Sequence, residues 1–405
     1  MLDDFGQRIR DIILSEMDLS RELSDEEICD LIGSVVSREA RDRPMTIKDR
    51  AELERTIFNS LRKLDVLQEL VDDRDVTEIM VNGPNDIFYE KAGRIQRFKG
   101  HFSSEEKLED VIQQIVGRHN RVVNQASPIV DTRLSDGSRV NIVLNPISIG
   151  GSAVSIRKFP EHPMSMERLV EIEALSPEVA RLLQILTQAK YNIFISGGTG
   201  SGKTTFLNAL SQYIPDDERI ITIEDSAELQ LLGAKNIVRL ETRNANTDGV
   251  TPITIRDLIR TALRMRPDRI IVGECRGAEA LDMLQAMNTG HDGSLSTGHA
   301  NSPHDIISRI ETMVLQGQDF PLNAIRQQIA SGIDIIVQLG RLRDKSRRVL
   351  EVSEVDGFID GEIVLHTLYR FEETGVLDSG RIQGFLKKAG TLCHTDKLMA
   401  AGLSV

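Results

Sequence analysis

The residues best suited to chemistry form a glycine-rich stretch near the middle of the 405-residue chain. It reads Gly197-Gly198-Thr199-Gly200-Ser201-Gly202-Lys203-Thr204-Thr205, between an apolar run that predicts a buried strand and a segment that predicts a helix. Such glycines let backbone N–H groups converge on phosphate oxygens, and a helix N-terminus adds partial positive charge. Lys203 is placed to reach β- and γ-phosphates, and the Thr204 hydroxyl to bind Mg²⁺. A glycine-rich turn without a ligand is disfavoured because the motif and both flanks are present.

Carboxylates follow two other predicted strands. Glu224, Asp225 and Glu228 follow the apolar run 219–223, and Glu274 follows the run 270–272. Ligands of open α/β sheets bind at the carboxyl ends of the strands. Hydrolysis of a magnesium nucleotide needs one acid near the metal and another that orients or deprotonates water. Any one of these acids alone could be a helix cap, but two such strand ends beside a P-loop favour a hydrolytic site.

A histidine and several arginines complete the candidate residues. His299 ends a third predicted strand, where it could contact a γ-phosphate, although a lone histidine is more often structural. Arg139 and Arg157 lie on predicted strands of a preceding domain, and Arg276 follows the second acid. A phosphoryl-transfer site gains much from an arginine that another domain or subunit supplies. The alternative for each arginine is an ordinary surface ion pair.

Composition narrows the class of protein. The net charge is −13 and the pI is about 5.2, which argues against a general nucleic-acid binder because that class needs a basic stripe. The three cysteines lie far apart, so we expect reduced thiols and no cysteine-built zinc site. The sequence contains no run of about 18 apolar residues, so it predicts no membrane span, and no signal peptide is evident. We expect a cytoplasmic protein that can dock on a membrane complex.

The elements that must position these residues divide the chain into five segments. Residues 1–65 have amphipathic helical spacing, which indicates either a helical bundle or a docking module for a partner. Residues 66–158 alternate strands and turns around one helix and predict an α+β domain with an antiparallel sheet. Residues 159–170 contain prolines and predict a linker. Residues 171–344 alternate helices and strands, which predicts a mainly parallel, doubly covered sheet. Residues 345–405 predict a small appendage with strand-like runs and helix-prone turns.

The motifs together resemble a known family. Residues 197–204, 223–228, 272–276 and 297–300 are similar to the Walker A, Asp box, Walker B and His box of the type II and type IV secretion and type IV pilus ATPases. Order and spacing are similar as well. Residues 131–141 and 284–294 look most like the tight-adherence (Tad/Flp) pilus ATPases of the CpaF branch. The resemblance covers roughly residues 70–345.

This resemblance implies a fold and a function. The fold would be α/β, with a RecA-like P-loop NTPase domain preceded by a smaller α+β, PAS-like domain and an N-terminal helical region. The protein would be a homohexameric ATPase that uses ATP and Mg²⁺. It would lie in the cytoplasm, peripheral at the inner membrane, and act through a platform protein there. Its work would be Tad/Flp pilus assembly, with retraction or related secretion also possible, and no nucleic-acid partner is expected.

The resemblance also implies roles for single residues. Residues 197–205 would bind the nucleotide, and Thr204 and Glu274 would hold Mg²⁺, the latter through water. Glu228 would be the general base and His299 the γ-phosphate sensor. Arg139 and Arg157 would be the arginines supplied by the N-terminal domain.

One departure from the family pattern leaves a role open. Gly273 stands where many P-loop proteins have an aspartate that ligates Mg²⁺. Glu274 alone then marks the Walker B position, and either Glu228 or Glu274 could be the general base.

Two other classes of function stay open at this point. A nucleic-acid motor with a RecA-like core would share the P-loop, but the acidic charge and the lack of interleaved aromatic and basic residues weigh against it. A scaffold gated by nucleotide without hydrolysis would share the binding motif. Turnover of ATP separates the scaffold from the motor.

Overall fold

The computed structural model describes residues 4–17, 21, 23–41, 43, 45–91, 93–118, 122–159, 163–231, 233–243 and 251–405. The chain divides into two compact units, Met1–Glu161 and His162–Val405. The predicted linker at residues 159–170 falls partly outside the described residues, and its last part is helical.

The first unit begins with three helices. These are α1 (Asp4–Glu16), α2 (Asp25–Glu39) and α3 (Ile47–Arg62). Capping boxes start α2 and α3, because Ser24 and Thr46 each exchange hydrogen bonds with an acid three residues later. The apolar faces of the helices share one core of buried side chains, comprising Ile9, Ile13, Ile28, Ile32, Val35, Val36 and Ile57.

The rest of the first unit is an antiparallel sheet with helices. Its strands are β1 (Val76–Asn82), β2 (Ile87–Lys91), β3 (Arg94–Arg97), β4 (Ile129–Arg133), β5 (Arg139–Val143) and β6 (Ala153–Arg157). The 3₁₀ turn Asp65–Leu67, α4 (Gln68–Asp72) and α5 (Glu105–Gly117) accompany them. The six strands run in the order β3-β2-β1-β6-β5-β4. One face of the sheet packs with α5 in a common core, and the alternate residues carry the polar face.

The second unit is built on a nine-stranded sheet in the order β15-β14-β13-β12-β7-β11-β10-β8-β9. Its strands are β7 (Ile193–Gly197), β8 (Arg219–Glu224), β9 (Asn236–Glu241), β10 (Arg269–Val272), β11 (Leu295–Gly298), β12 (Ile335–Arg341), β13 (Arg347–Ile359), β14 (Glu362–Val376) and β15 (Ile382–Lys388). Its helices are α6 (Met166–Glu171), α7 (Pro177–Gln188), α8 (Lys203–Ser211), α9 (Ile255–Ala262), α10 (Glu279–Asn288), α11 (Pro303–Gly317), α12 (Leu322–Gly332) and α13 (Asp396–Ala401).

The six strands from β12 to β9 are parallel to one another. Helices cover both faces and form two separate cores, one around α7 and α8 and the other around α9 to α12. Because all six strands run the same way, their carboxyl ends meet at one edge. The structure thus has the predicted doubly covered α/β sheet.

The strand-like runs predicted within residues 345–405 lie in strands β13 and β14, but these residues belong to the main sheet and do not form a separate small appendage. Strands β13, β14 and β15 pair antiparallel with β12 and with one another and extend the same sheet. Val349, Val352 and Leu368 are buried in the core that also holds α7 and α8. The outer edge of β12 would otherwise expose unpaired backbone groups, which the added strands satisfy. Strand β9 and helix α12 were also not predicted.

Among the described residues, we find no helix that combines the length and the apolar character needed to cross a membrane.

Candidate functional site

The glycine-rich loop is shaped by positions where only glycine fits. Gly200 and Gly202 have φ values of 71° and 94°, in the left-handed region that favours glycine. A Cβ on Gly197 would lie 2.5 Å from Ser201 Oγ and 2.7 Å from the Leu339 carbonyl oxygen. The loop therefore turns tightly from the buried strand β7 into the N-terminus of α8, where an anion is favoured.

Lys203 lies under this loop with its amine inside the turn. Its side chain is buried, and Nζ donates to the carbonyl oxygens of Gly197 and Gly198, both at 3.1 Å. Burial lowers the pKa of Lys203, while the charge of Glu274 opposes that shift. A buried ammonium group that meets mainly neutral carbonyl oxygens attracts an anion, and a phosphate is the natural one for such a loop.

Glu274 and His299 meet beside Lys203. Glu274 follows β10 and His299 follows the adjacent strand β11, and His299 Nε2 lies 2.8 Å from Glu274 Oε1. Arg276 Nη2 lies 2.7 Å from the other carboxylate oxygen, Oε2. Burial raises the pKa of Glu274, but the hydrogen bond and charge of Arg276 outweigh it, so that the pKa lies below its usual value. Glu274 is therefore an anion at neutral pH.

His299 links Lys203 to Glu274 as a neutral ring. Burial lowers the pKa of His299, and the charge of Lys203 lowers it further. Its Nδ1 lies 3.4 Å from Lys203 Nζ, which has protons to donate. With Nδ1 as acceptor, Nε2 of the neutral ring carries the hydrogen, and this nitrogen lies 2.8 Å from Glu274 Oε1. The structure thus brings together three of the residues that the sequence singled out from three separate motifs.

The acids at the end of β8 differ in exposure: Glu224 is buried, Asp225 is exposed and Glu228 is partly accessible. Glu224 is 3% exposed, and its Oε1 accepts from the backbone N–H groups of Glu228 at 2.7 Å and Leu229 at 2.9 Å. Glu224 therefore holds the segment that carries Glu228. Burial raises the pKa of Asp225, which Arg276 partly offsets.

The absence of a side chain at position 273 has a steric explanation. A Cβ on Gly273 would lie 2.8 Å from Cγ of Glu224, closer than unbonded carbons approach. Because Glu224 is buried and held by two backbone donors, it has little room to move. An aspartate at position 273 is thus incompatible with Glu224 in this place.

The residues predicted to hold Mg²⁺ fit that ion chemically. Thr204 lies in the first turn of α8, next to Lys203, and its side chain is partly accessible. Glu274 supplies an ionised carboxylate beside Lys203. Mg²⁺ in nucleotide sites takes one or two protein oxygens and otherwise waters and phosphate oxygens. A hydroxyl and a carboxylate at the same sheet edge match that donor set.

Two further arginines belong near this site, and sequence reasoning did not assign them. Arg347, at the start of β13, donates from Nε to the Gly200 carbonyl oxygen at 2.9 Å, across 147 positions of sequence. Arg309, on α11, is exposed, and its positive charge contributes to the lowered pKa of both Lys203 and His299. No motif marks either residue, because each approaches only through the folding of the sheet.

The predicted arginines Arg139 and Arg157 belong to the first unit. They are directly paired on β5 and β6, and Arg133 on β4 is paired with Arg139. Directly paired residues point to the same face, so three arginines stand in a row across neighbouring strands. Arg157 Nε lies 3.8 Å from an oxygen of Glu78. Glu78 on β1 is paired directly with Arg157, so a carboxylate stands at the end of this row.

Comparison with known proteins identifies the family of this chain. A family model described as "Type II/IV secretion system protein" matches residues 60–380. A putative conjugal transfer protein of Mycobacterium tuberculosis is 32% identical over 322 residues, which cover 77% of this chain and 91% of the relative. The type IV secretion system protein PtlH of Bordetella pertussis is 33% identical over 320 residues, covering 73% and 94%.

Solved structures share the fold. The pilus retraction motor PilT with bound ADP has a TM-score of 0.53 at 21% identity and covers 81% of this chain and 83% of its own. The ATPase DotB of Legionella pneumophila has a TM-score of 0.51 at 22% identity and covers 73% and 80%. Because the family model matches residues 60–380, which are most of this chain, the chain belongs to the type II/IV secretion system protein family.

Proposed function

We propose that this protein hydrolyses ATP to drive a secretion or pilus machine. The observation that carries the proposal is the contact of Lys203, His299 and Glu274 beside the glycine-rich loop. A cation for phosphate, a neutral hydrogen-bonding ring and an ionised acid are the parts that phosphoryl transfer to water needs. Family membership supports the same activity.

In this proposal the γ-phosphate takes the place of the loop carbonyl oxygens as partner of Lys203. Residues 197–205 direct backbone N–H groups at the phosphates, and Lys203 offsets the charge that develops on the transferred phosphoryl group. His299 sits between Lys203 and Glu274, where it can sense whether a γ-phosphate is present. When bound, Mg²⁺ at Thr204 and Glu274 neutralises phosphate charge.

The attacking water needs a base. Glu228 follows β8, and Glu224 holds its backbone N–H, whereas Glu274 lies beside Lys203 and His299. We assign the water proton to Glu228 from its place in the Asp-box motif and place Glu274 in the metal's water shell, and the glutamine variants below test this division.

Arg139 and Arg157 complete the site in the proposed assembly. We assign them to the phosphates of a nucleotide bound by their own or a neighbouring subunit within a homohexamer. Their paired positions on β5 and β6 present two guanidinium groups together, and arginine matches phosphate geometry with two parallel hydrogen bonds.

We further propose that the machine is a tight-adherence (Tad/Flp) pilus. The hexamer would lie at the cytoplasmic side of the inner membrane and turn a platform protein that adds or removes pilins. Residues 131–141 and 284–294 support this branch through their resemblance to it. The second candidate is conjugation or type IV secretion, because relatives carry those descriptions.

The catalytic proposal is tested by steady-state hydrolysis of ATP with Mg²⁺ by the purified full chain. Glu228→Gln and Glu274→Gln should each lower the turnover by about 10²- to 10⁴-fold, as expected for loss of a general base or a charge at the reacting phosphate. Glu372→Gln, which alters only an exposed ion pair on β14, is the matched control. If neither variant slows turnover, the site assignment is wrong, and if the assembled wild type has no turnover, a nucleotide-gated scaffold is the better function.

Deletion of the gene in cells tests which machine the protein drives. A strain lacking this gene should lose surface pilin and regain it with the wild-type gene but not with Lys203→Ala. Loss of DNA transfer or of protein secretion with normal pili would favour the second candidate. Hydrolysis stimulated by DNA with a steep salt dependence would instead indicate a nucleic-acid motor.

A further inference from the structure

The chain leaves the sheet directly after β11, and His299 is the first residue beyond the strand. The pairing of β11 with β7 ends one residue before it. Two residues earlier, the Thr297 hydroxyl donates to the Gly273 carbonyl oxygen at 2.8 Å, which fixes the strand end on the side of β10. The place of the His299 ring between Lys203 and Glu274 therefore depends also on what holds the chain after it.

Gln338 on β12 reaches this segment from across the sheet. Strand β7 lies between β12 and β11, and its Ser196 is paired with both Gln338 and Gly298. Paired residues of neighbouring strands point to the same face. Since Ser196 is small and Gly298 has no side chain, the Gln338 side chain has room to cross β7. Its Nε2 donates to the Ala300 carbonyl oxygen at 3.2 Å, and Ala300 directly follows His299.

The amide of Gln338 fits its surroundings in one orientation. The residue is 3% exposed. Besides the bond to Ala300, Nε2 donates to the Leu339 carbonyl oxygen at 3.3 Å. Because both neighbours are acceptors, the turned amide would place its oxygen against two carbonyl oxygens. The two N–H groups thus join the backbone after His299 to the backbone of β12.

The burial of this amide is unfavourable for stability. Its Oε1 is buried and makes no hydrogen bond to the residues that the structure describes. An apolar side chain of the same length would avoid that cost, so stability alone does not explain a glutamine here. Polar groups that lower stability are expected where a function needs a fixed geometry. The geometry that Gln338 fixes is that of the segment beside the glycine-rich loop.

We propose that Gln338 is a positioning residue for ATP hydrolysis and keeps the ring of His299 in contact with its two partners. The inference rests on the proposed hydrolysis and adds a residue that acts only through His299. With the Ala300 carbonyl held, the ring lies 3.4 Å from Lys203 Nζ and 2.8 Å from Glu274 Oε1. Without that bond the segment after β11 is free to shift, and a small shift breaks both contacts because hydrogen bonds need close approach and good alignment.

The first test measures steady-state ATP hydrolysis by the purified full chain, with rates expressed per folded molecule. Gln338→Met keeps the length of the side chain but loses its donors, and kcat should fall about tenfold while KM for ATP changes less than about twofold, because the reacting geometry is altered and ATP binding is not. Gln338→Asn keeps an amide that is too short to cross β7 and should show the same loss, so the test does not depend on the folding of one variant.

Thr187→Val is the matched control for the loss of a buried donor. The Thr187 hydroxyl is buried and donates to the Leu183 carbonyl oxygen at 2.7 Å on α7, so this variant should keep the wild-type rate per folded molecule. A wild-type rate in both variants of Gln338, or a change in KM alone, would overturn the proposal.

The second test asks whether Gln338 acts through His299. His299→Gln should lower kcat, and Gln338→Met added to it should lower kcat no further, because the ring to be positioned is gone. A further tenfold loss, or a wild-type rate in His299→Gln, would overturn the proposal. If the wild type has no turnover, the proposed function is wrong and the inference falls with it. If the wild type hydrolyses ATP and Gln338→Met does so equally fast, only the role of Gln338 is wrong.

Discussion

The two edges of the parallel sheet in the second unit are both rich in polar side chains, yet they differ in how those side chains are satisfied. At the amino edge, Arg269 is fully buried and forms an ion pair with Glu218. It also donates to the carbonyl oxygens of Thr187 and Gly293. All of these contacts are made within the protein, so the polar groups at this edge stabilise the fold and need no ligand.

The amino edge is closed further by the C-terminal segment. Lys397 on α13 pairs with Asp334 at 2.6 Å and with Asp292 at 2.8 Å. Burial raises the pKa of Asp334, and the charge of Lys397 opposes that rise. The hydroxyl of Tyr191 donates to the His394 carbonyl oxygen at 2.6 Å. Opposite charges are matched here without a ligand.

At the carboxyl edge, the buried cation has no such match. Lys203 hydrogen bonds to two carbonyl oxygens and a neutral histidine. The difference teaches that burial of a charge does not by itself identify a functional site. The nature of its partners does, because an ammonium group without a directly paired carboxylate is arranged for an anion that comes from outside.

Lys203→Met tests the carboxyl edge and should have the largest effect. ATP turnover should fall by about 10²- to 10³-fold, because a charge aimed at the transferred phosphoryl group is lost. The melting temperature should stay the same or rise, since a buried ammonium group without a directly paired carboxylate is removed. Hydrolysis assays and thermal unfolding measure both, with Lys388→Met on β15 as an exposed control. A large loss of stability would show that Lys203, like the charges at the amino edge, mainly stabilises the fold, which would contradict the comparison.

Arg269→Met tests the amino edge. The free energy of unfolding should fall by about 3–5 kcal/mol, because Glu218 is left buried with only the more distant Lys190, at 3.6 Å, as a cationic partner. Turnover per folded molecule should persist, as Arg269 lies at the opposite end of the strands. Denaturant unfolding measures the loss, and the exposed pair Lys235–Asp216 provides the control, where Lys235→Met should cost about 0–1 kcal/mol. A variant that stays stable but loses turnover would contradict the comparison.

Gly273→Ala probes the packing behind the acids. The new Cβ would lie 2.8 Å from Glu224 Cγ, and such overpacking should cost about 1–3 kcal/mol of stability. Turnover should also fall, because Glu224 holds the backbone of Glu228. Gly375→Ala is the control, since nothing lies within 4 Å of a Cβ there. Unchanged unfolding and turnover would show that Glu224 moves aside freely.

The pH dependence of turnover offers the smallest and finest test. Since burial and Lys203 lower the pKa of His299, the ring stays neutral down to the usual histidine value of about 6.5 and protonates only below it. The rate should therefore be level from pH 8 to about 6.5 and decline at lower pH. His299→Gln should remove this acid limb, whereas His304→Gln on α11 should keep it. A decline that begins above pH 7 would contradict the neutral tautomer.

Local patterns were enough to predict most elements of the parallel sheet. The strands before the glycine-rich loop, before Glu224 and before Glu274 are short apolar runs, and capping residues such as Ser104, Ser176 and Thr254 mark helix starts. The prediction failed where pairing partners decide the structure. Strand β9 has a mixed burial pattern at the sheet edge. The sequence indicated strand-like runs within β13 and β14, but not β15 and not the pairing that joins all three strands to β12.

The amino-acid sequence by itself determined the nucleotide loop and the identities of the acids and the histidine. Glycines with positive φ, a lysine at the start of a helix and acids at strand ends are local chemistry that needs no partner to be recognised. Only the tertiary structure decided that Lys203, His299 and Glu274 touch, that Glu224 excludes a side chain at position 273, and that Arg347 reaches the loop. These facts depend on which strands are neighbours in the sheet, and pairing between distant segments is set by the packing of the whole core.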